Sequence, residues 1–302
     1  MSNVIQFVPA QRAATKARIA LTGPSGSGKT YTGLTLGCQL AAAAGGRLGV
    51  IDTERGKSAM YKGINGWEFD VYAPTAFSPA SLTEALGAAA GQRYPVVLLD
   101  SWSHYWSGID GMLEQVDKRA KNGNNFSGWK EVRPEERRMI DAIVSYPGHI
   151  IVTLRVKTEY VIEENDRGKK VPRKVGLKPE QRDGMEYEFD VIGDLDLDNT
   201  LTVSKTRIPM LHGQVIQQPG SELAVTIADW LADGEDVPGP LAYRADALDP
   251  DTTFDQMRAL LDEVREKGLM NAPVTDGDGN PTVLADLIIA RGRSMKPSAV
   301  AS

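Results

Sequence analysis

Apolar positions come in short unbroken runs separated by segments of helical periodicity. Residues 17–22 (ARIALT), 48–52 (LGVID), 95–100 (PVVLLD) and 150–154 (IIVTL) are runs of strand length, the pattern of strands covered on both faces of a sheet. Residues 29–44, with Leu34, Leu36, Leu40 and a run of alanines, read as a helix after the first strand. The alternating stretch 194–204 reads as two strands joined at Asp198 and Asn199. This pattern predicts an α/β core over 17–232, with a central, mostly parallel sheet flanked by helices. Residues 233–251, rich in Pro and Gly, read as a linker. Beyond it, 252–267 has Phe254, Met257, Leu260, Leu261 and Val264 at helical spacing after a Thr-Thr cap, and 283–291 reads as a second short helix. A small helical region over 252–293 follows, too little for an independent core. Residues 1–16 form an arm, and 294–302 an expected disordered tail.

A chain of 302 residues has room for one large α/β domain plus an appendage, or for two modest domains. No apolar run approaches the roughly 18 residues that cross a bilayer, and the N-terminus lacks a signal segment, so a cytoplasmic protein without a membrane partner is expected. A single cysteine, Cys38, excludes an internal disulfide. The net charge of −6 argues against a surface coated for nucleic acid, yet leaves room for a local patch. Residues 167–178 (RGKKVPRKVGLK) are such a patch, with six cations and no acid, read either as a mobile basic loop or as a solvated hairpin.

Candidate chemistry begins at 21–30, LTGPSGSGKT. The spacing Gly23-x-x-x-x-Gly28-Lys29-Thr30 is a phosphate-binding loop, whose glycines let backbone N–H groups curl around a phosphate at a helix N-terminus. Gly23, Pro24, Ser25, Gly26, Ser27, Gly28, Lys29, Thr30 and Tyr31 are the expected nucleotide-binding residues, with Lys29 also on the reacting phosphate. Asp100, at the end of an apolar run, is expected to hold Mg²⁺ through water while Thr30 ligates it directly. Glu54, at the end of the run before it, is the preferred general base, with Asp52 as the alternative. Thr153 and Arg155, at the end of a further run, are the options for sensing the γ-phosphate.

The order of these elements resembles the core of RecA-type recombinases. There a Glu ending the strand after the phosphate-loop helix is followed seven residues later by a Tyr that stacks on adenine, and residues 52–61 (DTERGKSAMY) match that spacing. The resemblance implies a RecA-like P-loop NTPase fold, with Glu54 as the catalytic carboxylate, Tyr61 against the base, and ATP with Mg²⁺ as cofactors. It also implies that Lys205 and Arg207 reach across to a neighbouring subunit's γ-phosphate, in a ring or filament of identical chains. Closer still is a group of phage-encoded ATP-binding proteins similar to stripped-down recombinase cores, matched at Asp100-Ser-Trp102, Trp129, Pro147-Gly-His149, 175–179 (VGLKP) and 186–190 (EYEFD). A member of that group would work in the bacterial host cytoplasm. Several of them act as recombination mediators that assist annealing beside a single-stranded-DNA-binding protein.

On that resemblance the expected function is an ATP-hydrolysing, single-stranded-DNA-binding mediator. The expected DNA contacts are Arg167, Lys169, Lys170, Arg173 and Lys174, with Tyr160 nearby and 118–129 (KRAKNGNNFSGW), carrying Phe126 and Trp129, as a second DNA-facing loop. The usual Gln at the end of the sensor strand is absent here. A replication motor, such as a helicase or loader, and a nucleotide-gated adaptor are the alternatives from other functional classes.

Overall fold

The computed structural model describes residues 9–121, 123–164, 170–182 and 184–295, with the backbone alone for 158–164 and 170–178. The chain alternates β1 (Arg18–Gly23), α1 (Lys29–Ala43), β2 (Leu48–Asp52), β3 (Phe69–Tyr72), α2 (Pro79–Gly91) and β4 (Val96–Asp100). Helices α3 (Ser103–Ser107), α4 (Met112–Arg119) and α5 (Asn125–Val144) lead into β5 (His149–Glu164), β6 (Lys170–Pro179), β7 (Val191–Leu195), β8 (Thr200–Thr206), β9 (Val215–Gln217) and α6 (Ser221–Ala232).

The strands form one sheet in the order β3-β2-β4-β5-β1-β7-β8-β9. The first six run parallel, while β8 and β9 return antiparallel at one edge. Every residue of β1, β2 and β4 is buried, which is why these runs carry no polar alternation. Two apolar clusters fill the opposite faces, one under α1 and α6, the other under α2 and α5. The result is the α/β core, a mostly parallel sheet flanked by helices, that the apolar runs predict.

Strand β5 is 16 residues long. Its first half lies between β4 and β1 in the sheet, and its second half leaves the sheet paired with β6. The basic stretch, open between a loop and a hairpin in the sequence, is therefore a hairpin arm from Lys170 onward. Similarly, Phe126 and Trp129 lie on α5 and not in a loop, because the Asn124 side chain caps the helix by accepting the Phe126 N–H at 3.0 Å.

The C-terminal region is more structured than its composition suggests. Residues 233–251 are not a plain linker: they contain α7 (Pro240–Leu248), with Pro240 at the first helical position, where its missing N–H costs nothing. Helix α8 (Phe254–Glu266) starts in a capping box between Thr253 and Gln256. A hairpin of β10 (Pro273–Thr275) and β11 (Pro281–Val283) then leads into α9 (Leu284–Ser294). Tyr243, Met257, Val264, Val274, Leu284 and Ile288 give this region a core of its own. It docks on α2 where Gly87 and Gly91 leave room: a Cβ on them would lie 2.9 Å from Pro281 Cβ and 2.4 Å from Thr275 Cγ2. Part of the N-terminal arm runs beside the end of α6, with the Ala14 N–H donating to Glu235 O, the Thr15 N–H to Leu231 O, and Arg12 stacked 4.6 Å over Trp230.

His149, at the foot of β5, is a buried neutral imidazole whose Nδ1 accepts the Ala17 N–H at 3.0 Å. Burial, reinforced by Lys16 and Arg18, pushes its pKa down from 6.5 to about 4. The unfolded chain thus takes up a proton that the folded chain refuses. The associated stability is fully present above pH 6.5 and is lost as pH falls toward 4, a change of about 3 kcal/mol. Melting temperature followed across this window should drop in the wild type and drop less in His149→Asn; equal slopes would assign the acid sensitivity elsewhere.

Candidate functional site

Strands β1, β2 and β4 end, and β5 leaves the sheet, at one edge, and the side chains there converge on a cleft of about 680 Å³. That size lies within the range of about 300–1,000 Å³ usual for small-molecule sites. The floor of the cleft is the loop between β1 and α1. Gly28 has φ +85° and precedes the helix, and a Cβ there would meet Asn199 Nδ2 at 2.5 Å. The left-handed backbone favours glycine there, and the absent side chain lets Asn199 come close. Helix α1 has no acidic residue in its first turn, so its N-terminal N–H groups give the cleft a positive floor.

Lys29 Nζ donates to the Gly23 and Pro24 carbonyls, both at 2.8 Å. Burial lowers its pKa, Arg155 adds to that, and Asp100 and Glu54 oppose it. Thr30 Oγ1 donates to Asp100 Oδ2 at 2.6 Å, and the Thr153 hydroxyl holds Asp100 Oδ1. Burial pushes the Asp100 carboxyl above its usual range, despite the two hydroxyl donors that pull it down. A hydroxyl and a desolvated carboxylate in direct contact are hard oxygen donors suited to Mg²⁺, whose charge would relieve the desolvation. Thr153 therefore supports Asp100, while Arg155 is the sensor-strand side chain that faces the cleft.

The two carboxylates after β2 part company. Asp52 is buried, with Oδ1 accepting the Glu54 N–H at 2.7 Å and Oδ2 accepting the Ser58 N–H at 2.8 Å and the Ser58 hydroxyl at 2.5 Å. It is spent on the turn. Glu54 lines the cleft, its Oε1 held by Arg155 Nε at 3.1 Å and Nη2 at 2.5 Å. Arg155 is fixed in turn by its own N–H, which donates to Ser103 Oγ at 2.9 Å.

Behind this pair, Thr53 Oγ1 accepts the Ser101 N–H at 2.7 Å and lies 2.5 Å from His104 Nδ1. Burial and then Arg155 lower the His104 pKa, so at neutral pH this link between β2 and α3 is uncharged. Nothing in the sequence pattern marks His104.

At the outer end of the cleft, Tyr61 meets Tyr31 edge-on at 6.1 Å, and Tyr31 packs at 5.0 Å against Trp67. Both tyrosines line the cleft. Past Tyr31, a second cleft opens between Trp67 and the strand-edge residues Asn199, Gln218 and Pro219. A flat base has aromatic surface available on this side. Asn199 and Gln218 escape sequence reading because they reach the site only through the β7-β8-β9 edge.

Lys205 and Arg207 do not join this cleft. Lys205 pairs in register with Ile192, which is level with Ala20, three residues before Gly23. Its Nζ reaches away from the loop, donating to the carbonyls of Glu186, Tyr187 and Phe189. Arg207 Nη1 pairs at 3.0 Å with Asp190, whose other oxygen accepts the Arg18 N–H at the start of β1. Both cations thus lie toward the opposite end of the sheet, on one stretch, 186–190. Of the expected DNA contacts, Arg167 and Lys169 lie outside the described residues. Lys170, Arg173 and Lys174 are placed by backbone only, on β6, as Tyr160 is on β5.

A family model described as AAA domain matches residues 15–216, from the entry to β1 through β9. The chain belongs to the AAA domain family. The match takes in the whole sheet and every cleft residue named above up to 216, and it stops before α6 and the C-terminal region. No curated protein matches the chain. An AAA domain with an intact phosphate loop is an ATPase domain, and the loop, Lys29, Thr30 and Asp100 line one end of that cleft. Among the described residues no helix is long and apolar enough to cross a membrane.

Proposed function

We propose that this AAA-domain chain hydrolyses ATP and couples the cycle to single-stranded DNA, as a recombination mediator that assists annealing. The observation that carries the proposal is the root of the β5-β6 hairpin. Arg155, on β5, holds Glu54 in the cleft, and five to seven residues of β5 later the same strand is paired with the basic arm of β6, Tyr160 with Lys174 and Ile162 with Pro172. The Glu180 N–H at the arm's return donates to Arg155 O at 2.7 Å. One strand therefore joins the carboxylate site to the most cationic stretch of an acidic protein, and a change at either end has a short covalent path to the other.

In this reading the loop N–H groups and Lys29 bind the phosphates of ATP, while Thr30 and Asp100 hold Mg²⁺. A metal held there would neutralise negative charge on the phosphates. Glu54 accepts the proton of the attacking water. Arg155 is well placed to exchange Glu54 for the γ-phosphate, which would release the carboxylate only when ATP is present. The cations of 167–174 contact the DNA backbone. Lys205 and Arg207, too far along the sheet for their own cleft, complete the site of a neighbouring copy in a homo-oligomer, and a single-stranded-DNA-binding or annealing protein is the natural companion.

Steady-state ATP turnover with and without single-stranded DNA tests this. Turnover should rise with DNA and depend on Mg²⁺. Turnover indifferent to DNA, with duplex unwinding present, would favour a replication motor; binding of ATP without turnover would favour a nucleotide-gated adaptor.

A further inference from the structure

On the far side of the hairpin root lies a groove that the ATP reading does not use. The root is its common wall with the nucleotide cleft: Arg155, Val156 and Glu180 line the cleft, whereas Lys157, Pro179, Gln181 and Arg182 line the groove. The opposite wall is α5 with Trp106 of α3. Along α5, Phe126, Trp129, Arg133 and Arg137 follow one another at spacings of three and four residues, and so form one stripe. Trp129 lies against Trp106 with ring centroids 5.7 Å apart and planes tilted by 34°. Both tryptophans are only partly buried, and Phe126 at the end of the stripe is 75% exposed.

Two polar atoms in the groove are buried without a hydrogen bond among the described residues. They are Glu136 Oε1 and Gln181 Nε2, whose residues are only 6% and 8% exposed. Arg182 Nη1 approaches Glu136 no closer than 3.8 Å. Such groups cost free energy unless something else pairs with them. An acceptor and a donor, both unsatisfied and beside aromatic rings, match the hydrogen-bonding edge of a nucleobase. Among its described residues the groove's cations, Arg133, Arg137, Lys157 and Arg182, outnumber its one carboxylate, Glu136, and suit a phosphate backbone.

We infer that this groove is a single-strand nucleic-acid site, in which a base stacks on the Trp106-Trp129 pair, Glu136 and Gln181 meet its edge, and the surrounding cations take the flanking phosphates. The inference rests on the DNA-coupled reading above and adds to it a base-contacting site separate from the cations of 167–174. It also gives the nucleotide cycle a direct neighbour, because residues of the same hairpin root line both the groove and the ATP cleft.

The test is fluorescence anisotropy of a labelled 20-mer of oligo-dC in three proteins: Trp129→Ala, Arg133→Glu/Arg137→Glu, and a hairpin variant with Lys170, Arg173 and Lys174 changed to Ala. Melting curves and binding of a fluorescent ATP analogue serve as controls for folding. The double arginine variant alters only exposed side chains, so it remains informative if Trp129→Ala is destabilised. Both groove variants should bind the oligonucleotide about tenfold or more weakly than wild type, with ATP analogue binding unchanged. Groove variants that bind like wild type while the hairpin variant fails would overturn the groove site and leave DNA coupling standing. If wild type binds no oligonucleotide, both readings fall, including the case in which an acidic peptide binds the groove instead.

Discussion

Glu54→Gln lowers ATP turnover by about 10²- to 10⁴-fold, the usual contribution of a positioned proton acceptor, and leaves ATP affinity near wild type. The amide preserves shape and still accepts from Arg155, which holds Oε1 through Nε and Nη2, but it cannot take a proton from water. Asp52→Asn provides the contrast. That carboxylate is buried and satisfies the Glu54 N–H, the Ser58 N–H and the Ser58 hydroxyl. Weakening such charge-assisted bonds removes stability, about 1.5–3 kcal/mol for each one lost. Turnover, fluorescent-analogue binding and melting temperature, measured on both variants, separate the two carboxylates. A Glu54→Gln protein with near wild-type turnover would remove Glu54 from the proton-accepting role, whatever its position in the cleft.

The second large effect is expected at Lys205 and Arg207. Replacing either with Ala should lower turnover by about 10³- to 10⁵-fold, the range for a cationic finger, with ATP binding retained. In the proposed arrangement such an effect arrives from another copy. Lys205 is level with Ala20, so about 10 Å of strand separates it from Gly23, and Arg207, tied through Asp190 to the Arg18 N–H, is about 16 Å away. Both side chains point along 186–190 and not toward the loop. Mixing Glu54→Gln with Arg207→Ala is therefore decisive. Each protein alone is inactive, but in a mixed assembly about a quarter of the interfaces pair an intact cleft with an intact finger, since each interface draws on two subunits. Recovered turnover on mixing demonstrates action in trans. A mixture as inactive as its components would mean that Arg207 serves only its ion pair with Asp190.

Read from the chain alone, the local parts are clear. An unbroken apolar run of five or six residues has to be a strand buried on both faces, and its polar end marks the sheet edge where ligands bind, so β1, β2, β4 and the start of β5 are legible with Asp100 and Glu54 at their tips. The phosphate loop is legible for the same reason: its geometry depends on the φ angles of consecutive glycines, a property of the loop itself. Helix α7 was hidden because Pro and Gly at 238–240 look like breakers, while Pro at the first helical position is compatible with a helix start.

What remained to the tertiary structure is everything that depends on which strands are neighbours and which way a side chain leaves a turn. Asp52 and Glu54 are equivalent in sequence; only the Ser58 turn decides that one is consumed internally and the other faces the cleft. The Arg155–Glu54 pair exists because β2 and β5 both flank β4, and Asn199 meets Gly28 because β7 lies beside β1. The groove of Trp106, Trp129 and Glu136 draws on two helices and a hairpin root that no local pattern connects. Sequence specified the backbone elements and the loop chemistry because those are set by near neighbours. Sheet order and turn direction chose the partners, because burial rewards whole faces and leaves the identity of the facing residues to packing.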